Sequence, residues 1–209
     1  MLRTHDLECT RGERRLFAHL EFTVEAGTCL HIAGENGAGK TSLLRILCGL
    51  LAPTAGEVRW EGENIRRLRE DYWQQIAYVG HLNGVKDDLT ALENVRYGAA
   101  VTGRAAPLAR AREALAELAL GGFEGSQARF LSQGQKRRVA LARLFLAEAA
   151  KLWILDEPFT ALDVRGVGVL ADLIERHTTR GGIVVLTTHQ DVPLAGRVAR
   201  LDLRAAESG

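Results

Sequence analysis

The sequence has almost no net charge. Its 209 residues carry 27 Lys and Arg against 26 Asp and Glu, a formal charge of +1. A basic footprint for nucleic acid is therefore missing, and no nucleic-acid partner is expected. The three cysteines, Cys9, Cys29 and Cys48, are odd in number and widely spaced, with no C-x-x-C pair. That argues against a disulfide framework or a cysteine metal site and for structural thiols in a reducing compartment. No stretch reaches the ~18–20 uninterrupted apolar residues of a membrane span, so any membrane role needs a partner. The first six residues are charged and lack an apolar run, so no signal peptide is expected. Internal repeats, low-complexity segments and flexible linkers are also absent.

What is present describes an ordinary globular chain, with 46% hydrophobic and 25% charged residues. Its length suits one large domain, or a core with a smaller subdomain, burying about 70% of the unfolded surface. Two basic clusters, Lys136-Arg137-Arg138 and Arg66-Arg67-Leu68-Arg69, read as solvated faces or anchors for a local partner. The most informative stretch is Gly34-Glu35-Asn36-Gly37-Ala38-Gly39-Lys40-Thr41-Ser42, which carries the pattern G-x-x-x-x-G-K-T. It lies between the apolar run Cys29-Leu30-His31-Ile32-Ala33 and the helical pattern Leu43-Leu44-Arg45-Ile46-Leu47. Strand, glycine-rich loop and helix form the context of a phosphate-binding loop. The glycines let backbone N–H groups turn toward the phosphates, and the helix adds its free N–H groups and positive dipole end. Lys40 is placed to reach the β- and γ-phosphates of a nucleoside triphosphate, and Thr41 to ligate Mg²⁺.

Leu20-Glu21-Phe22-Thr23-Val24 alternates as a half-buried strand, and Glu57-Val58-Arg59-Trp60-Glu61-Gly62 reads as a hairpin strand. Ile76-Ala77-Tyr78-Val79, Leu152-Trp153-Ile154-Leu155 and Ile183-Val184-Val185-Leu186 are near-continuous apolar strands. Between about residues 90 and 150 the pattern turns helical, with Leu108, Ala111, Leu115, Leu118 and Ala119 behind Pro107. Val139, Leu141, Ala142, Phe145 and Leu146 mark a second helix. The alternation predicts an α/β fold with a parallel sheet covered on both faces. Polar groups follow each buried strand: the phosphate loop, His81, Asp156-Glu157 and His189. Ligands in such sheets sit beyond the carboxyl ends of the strands, so the four sets converge on one edge. Asp156 is placed to hold Mg²⁺ with Thr41. Glu157, on the opposite side of the strand by simple alternation, is placed to activate a water as general base.

Leu131-Ser132-Gln133-Gly134-Gln135 resembles the L-S-G-G-Q signature of ABC ATPases. With the phosphate loop, Ile154-Leu155-Asp156-Glu157-Pro158, Ala161-Leu162-Asp163 and Thr187-Thr188-His189, it follows the family order and separations across nearly the whole chain. The resemblance implies a P-loop core with a mixed sheet and an inserted helical subdomain, the core spanning about 1–81 and 151–209 and the insertion about 82–150. It also implies an ATP-dependent head-to-tail homodimer with two ATP molecules between the protomers. Ser132, Gly134 and Gln135 would then grip the nucleotide of the other protomer, Asp163 would couple the two sites, and His189 would touch both the γ-phosphate and Glu157.

Two positions depart from the family pattern. The Gln that most members carry after the strand at 76–79 is replaced by His81, a further metal candidate, since a neutral imidazole can still ligate or hydrogen-bond. The aromatic on which most members stack adenine falls at Arg11, whose guanidinium plane can also stack on a base. Tyr78-Val79-Gly80-His81, the segment Gly84 to Asn94, the run Trp153 to Asp163, and Leu186-Thr187-Thr188-His189-Gln190 resemble the ATP-binding subunit of bacterial cytochrome c maturation (haem exporter) complexes. That implies ATP hydrolysis on the cytoplasmic face of the inner membrane, peripheral to integral membrane subunits and coupled to haem export or to release of a haem-loaded chaperone. No C-x-x-C-H occurs, and His5, His19 and His177 read as surface or packing residues. The alternatives are another small ABC transporter with a different cargo and a soluble ABC ATPase of iron–sulfur assembly.

Overall fold

The structure, a computed structural model, describes residues 1–203; the core segment expected over 151–209 thus ends outside the described residues. The chain opens with a hairpin of β1 (Leu2–Arg11) and β2 (Arg14–Val24), in register from Leu2 opposite Val24 to Arg11 opposite Arg14. β1 was not legible in the sequence, because register shifts between Thr4 and Thr10 break its alternation. β2 extends the strand expected at 20–24 toward the N-terminus. The central strand β3 (Thr28–Ala33) leads through the glycine loop into α1 (Lys40–Leu47). Then β4 (Ala55–Trp60) and the short β5 (Glu63–Asn64) form the expected hairpin, turning at Glu61 and Gly62, both at positive φ (51° and 89°). That is the geometry of a two-residue hairpin turn. These strands build an antiparallel sheet in the order β2-β1-β4-β5. At Gly56 a Cβ would collide with the main-chain carbonyls of His5 and Asp6, so this approach of β4 to β1 requires glycine.

Two short helices, α2 (Ile65–Leu68) and α3 (Glu70–Gln74), precede β6 (Ile76–Val79). The helical stretch follows, with α4 (Ala91–Val101), α5 (Leu108–Glu117) and α6 (Gln133–Ala142). α4 starts at a capping box in which Thr90 and Glu93 satisfy each other's backbone N–H. Pro107 stands at the N-cap of α5 rather than inside it, and Leu118 at its C-cap with Ala119 at φ 55° beyond. The helix expected to continue through Leu146 tightens after Ala142 into a 3₁₀ segment, Arg143–Leu146. β7 (Leu152–Asp156), α7 (Val164–Thr179), β8 (Ile183–Thr187) and β9 (Arg197–Asp202) complete the described chain.

The second sheet is wholly parallel, in the order β6-β7-β8-β3-β9. The mixture of strand directions expected from the sequence is thus divided between two sheets. Every residue of β7 and β8 is buried. Alternate side chains serve two cores: Leu30, Ile32, Ile154 and Val185 pack with α1 and the antiparallel sheet. Trp153, Leu155, Val184 and Leu186 pack with α7 and with Val95, Leu115 and Leu141 of the helical stretch. Burial on both faces explains why these strands read as continuous apolar runs. The arrangement leaves the carboxyl edge of β3, β6, β7 and β8 to the polar loops.

Candidate functional site

The loop after β3 wraps as its glycines allow. Gly34, Gly37 and Gly39 all have positive φ, and Gly39 (φ 99°) is the N-cap from which α1 springs with Lys40 as its first residue. Lys40 Nζ donates to the main-chain carbonyls of Gly34 at 2.6 Å and Glu35 at 3.0 Å. Ala38 is buried and donates its N–H to Glu35 O at 3.2 Å. Above the loop lies a cavity of about 720 Å³. Of the sequence-predicted residues, Arg11, Asn36, Gly37, Gly39, Lys40, Thr41, Ser42, His81, Asp156, Glu157 and His189 line it. Arg14, Leu16, Thr160 and Gln190 line it as well and were missed.

Asp156, 2% exposed, joins two strand ends and the loop. Its Oδ2 accepts from Thr41 Oγ1 at 2.9 Å and its Oδ1 from Thr187 Oγ1 at 2.8 Å. Among the described residues no three His, Cys, Asp or Glu side chains cluster as a complete metal shell. One carboxylate and one hydroxyl are nevertheless the hard oxygen donors that suit Mg²⁺, which keeps several waters and takes phosphate oxygens for the rest. The donor set fits the ion. His81, exposed on the loop after β6, lines the same cavity.

Glu157 corrects a reading made from strand alternation. β7 ends at Asp156, and Glu157 adopts φ 50°, so the chain turns and both carboxylates line the same cavity. The Glu157 N–H donates to Thr187 Oγ1 at 3.0 Å. Its Oε2 accepts the His189 backbone N–H at 3.3 Å, and its Oε1 lies 3.5 Å from His189 Nε2. That Oε1 is buried and makes no hydrogen bond among the described residues. It is a desolvated acceptor beside the His189 imidazole.

The signature residues lie apart from this cavity. Ser132 is the N-cap of α6, and with Gln135 it forms a capping box: Gln135 N–H to Ser132 Oγ at 3.2 Å, Ser132 N–H to Gln135 Oε1 at 2.8 Å. A Cβ on Gly134 would come within 3.0 Å of the Ala161 carbonyl. Asp163 caps α7 through Gly166 N–H at 2.8 Å and pairs with Arg138 at 2.8 Å. Those two contacts, the N–H first, hold its carboxyl below the usual range.

The basic cluster at 136–138 is correspondingly not a solvated face. Lys136 pairs with Asp87 at 2.6 Å, Arg138 with Asp163, and Arg137 is only 4% exposed. Arg137 donates to the carbonyls of Gly80, Asp156 and Glu157, each at 2.8 Å, tying β6, β7 and α6 together. Nothing in the local pattern separates it from Lys136 and Arg138, which are only partly buried. The other cluster holds as read, with Arg66, Arg67 and Arg69 exposed.

A family described as ABC transporter matches residues 17–160. The cytochrome c biogenesis ATP-binding export protein CcmA of Nitrosospira multiformis is 51% identical over 95% of this chain and 96% of its own. The protein of the same description from Dechloromonas aromatica is 52% identical over 97% of this chain and all of its own. Among solved structures, a dimeric bacterial ABC transporter cassette, MJ0796, superposes with a TM-score of 0.81 at 29% identity, covering 97% and 94% of the two chains. A dimeric post-hydrolysis state of that cassette with ADP and Pi gives 0.80 at 28% identity, covering 97% and 96%. The cavity over the glycine loop, edged by Asp156, Glu157 and His189, is thus found in a chain that belongs to the ABC transporter family of ATP-binding subunits, in its cytochrome c biogenesis branch.

Proposed function

We propose that the chain hydrolyses ATP to ADP and phosphate in the cavity over the glycine loop, as the ATPase subunit of an ABC export complex serving c-type cytochrome biogenesis. The observation that carries the site assignment is convergence: Asp156, Glu157 and His189 from two strand ends meet Lys40 and Thr41 at one cavity. The loop from Gly34 to Ser42 cradles the phosphates with its N–H groups, and Lys40 exchanges its contacts to the Gly34 and Glu35 carbonyls for phosphate oxygens. Thr41 and Asp156 would hold Mg²⁺, with His81 a further candidate ligand on the cavity wall; when bound, the ion would supply positive charge against the phosphates. Glu157 takes the proton of the attacking water at Oε1, and His189 orients that carboxylate. Arg11 stacks on the base.

Ser132, Gly134 and Gln135 are not among the residues lining their own cavity and serve the nucleotide of a second protomer in a head-to-tail dimer, with Asp163 as the coupling residue. The partners are integral membrane subunits of a cytochrome c maturation complex at the cytoplasmic face of the bacterial inner membrane. ATP turnover there drives haem export or frees a haem-loaded chaperone. Among the described residues no helix is long and apolar enough to cross a membrane, which is compatible with a peripheral subunit.

The test is affinity purification of tagged Glu157→Gln protein from gently solubilised membranes, identifying co-purifying subunits and recording haem absorbance. Cytochrome c maturation subunits with a haem-bearing chaperone are expected. An unrelated membrane pair would leave the ATPase and discard the haem cargo.

A further inference from the structure

Arg11 and Arg14 close the β1–β2 hairpin as register partners on either side of Gly12-Glu13. Side chains directly opposite each other in an antiparallel pair share a face, and like charges there repel. Both guanidinium groups are exposed, and among the described residues neither has an ion-pair or hydrogen-bond partner. Both line the nucleotide cavity. Arg14 reaches the phosphate loop: a Cβ on Gly37 would lie 3.6 Å from its Nη1 and 4.0 Å from its Nη2. Arg15, one residue on, points to the other face of the strand and is not among the lining residues. No Phe, Tyr or Trp lines the described cavity, and Leu16 is its one long aliphatic side chain.

Like charge at a hairpin mouth is relieved when an anion binds beside one of the two groups. Resting on the assignment of this cavity to ATP, we infer that Arg14 is a second side-chain cation for the nucleotide's polyphosphate, opposite Lys40. Arg14 forks onto phosphate oxygens from the side of the loop that Lys40 does not reach. Charge on the phosphates then supplies part of the affinity that stacking on an aromatic would otherwise supply, and binding becomes steeply salt-dependent.

The experiment uses the full chain with two probes, the non-hydrolysable ATP analogue AMP-PNP and base-free inorganic tripolyphosphate, titrated at several salt concentrations. Arg14→Gln should weaken both by about 10- to 100-fold, the scale of one or two charged hydrogen bonds. It should also flatten the salt dependence. Arg14→Lys should recover part of the loss, showing that charge rather than folding is at stake, and Arg15→Gln should bind as the unaltered protein does. Unchanged tripolyphosphate binding in Arg14→Gln overturns the inference. Lys40→Ala separates the two failures. If it too binds both probes normally, the cavity is not the nucleotide site; if it alone loses them, only the role of Arg14 falls.

Discussion

Arg137 Nη2 donates to the main-chain carbonyl of Glu157 at 2.8 Å, from the helix that Ser132 caps. The same nitrogen reaches Asp156 O at 2.8 Å, and Nη1 reaches Gly80 O and Asn83 Oδ1. One planar fork thus fixes the turn carrying Glu157 and the segment just before and after His81. Burial pulls the arginine's pKa down while the Asp156 and Glu157 charges pull it back up. Removing it leaves three carbonyls without this donor. Arg137→Ala should cost about 2–5 kcal/mol in urea unfolding, and in the folded fraction kcat should fall more than KM rises. Arg137→Lys should restore little, because an ammonium cannot span both ends of the fork. Full rescue by Lys would show that charge alone matters.

Glu157 Oε1 is buried and without a hydrogen bond among the described residues, and in the proposed mechanism Glu157 takes the water proton. Glu157→Gln keeps the shape and removes the basicity. Nucleotide binding should persist and hydrolysis should drop ~10²–10⁴-fold, with an ATP-stabilised dimer visible by light scattering. Unchanged single-turnover rates would transfer the base to another group.

The polar edge of the sheet was legible because a polar residue at the end of a buried strand breaks an apolar run, as Asp156 does after Leu152-Trp153-Ile154-Leu155. The loop from Gly34 to Ser42 was legible because its glycines must take conformations that side chains avoid, and Gly34, Gly37 and Gly39 do. β1 was not, because register shifts scramble its period. Arg14 and Arg137 were invisible for a related reason: each sits in a basic run, and only tertiary packing decides that Arg14 lines the cavity and Arg137 is buried. The direction of Glu157 was misjudged because alternation stops where the strand does, one residue earlier.

Lys40 is the side-chain cation at the start of α1, held by the Gly34 and Glu35 carbonyls. Lys40→Ala should weaken ATP binding and abolish turnover while leaving the fold intact by circular dichroism. Normal steady-state ATPase would refute the site.

His81 lines the cavity from an exposed loop, so its removal should spare the fold. If it acts near the metal, His81→Ala should lower kcat about 10-fold or more with little change in ATP affinity, the scale of one positioned proton-transfer or ligating group. Equal and small effects on both would make it a bystander. His81→Gln should retain more turnover than His81→Ala.

His177 stacks on Trp153 with ring centroids 4.0 Å apart, is 6% exposed, and does not line the cavity over the glycine loop. Burial, with a smaller contribution from the Arg180 charge, lowers its pKa from an ordinary 6.5 to about 4. Between those values the unfolded chain holds a proton that the folded chain refuses, so unfolding takes up protons there. Stability from this residue is therefore complete above about pH 6.5 and declines as the pH falls toward 4. The full effect is roughly 3 kcal/mol, from about 2.5 pH units at 1.36 kcal/mol each. Urea unfolding of the unaltered protein and of His177→Phe, compared from pH 7.5 to 4.5, should give curves that draw apart on acidification, the variant losing less. Phe keeps the stack on Trp153 and cannot titrate, so parallel curves would mean that the buried imidazole does not govern the acid limb.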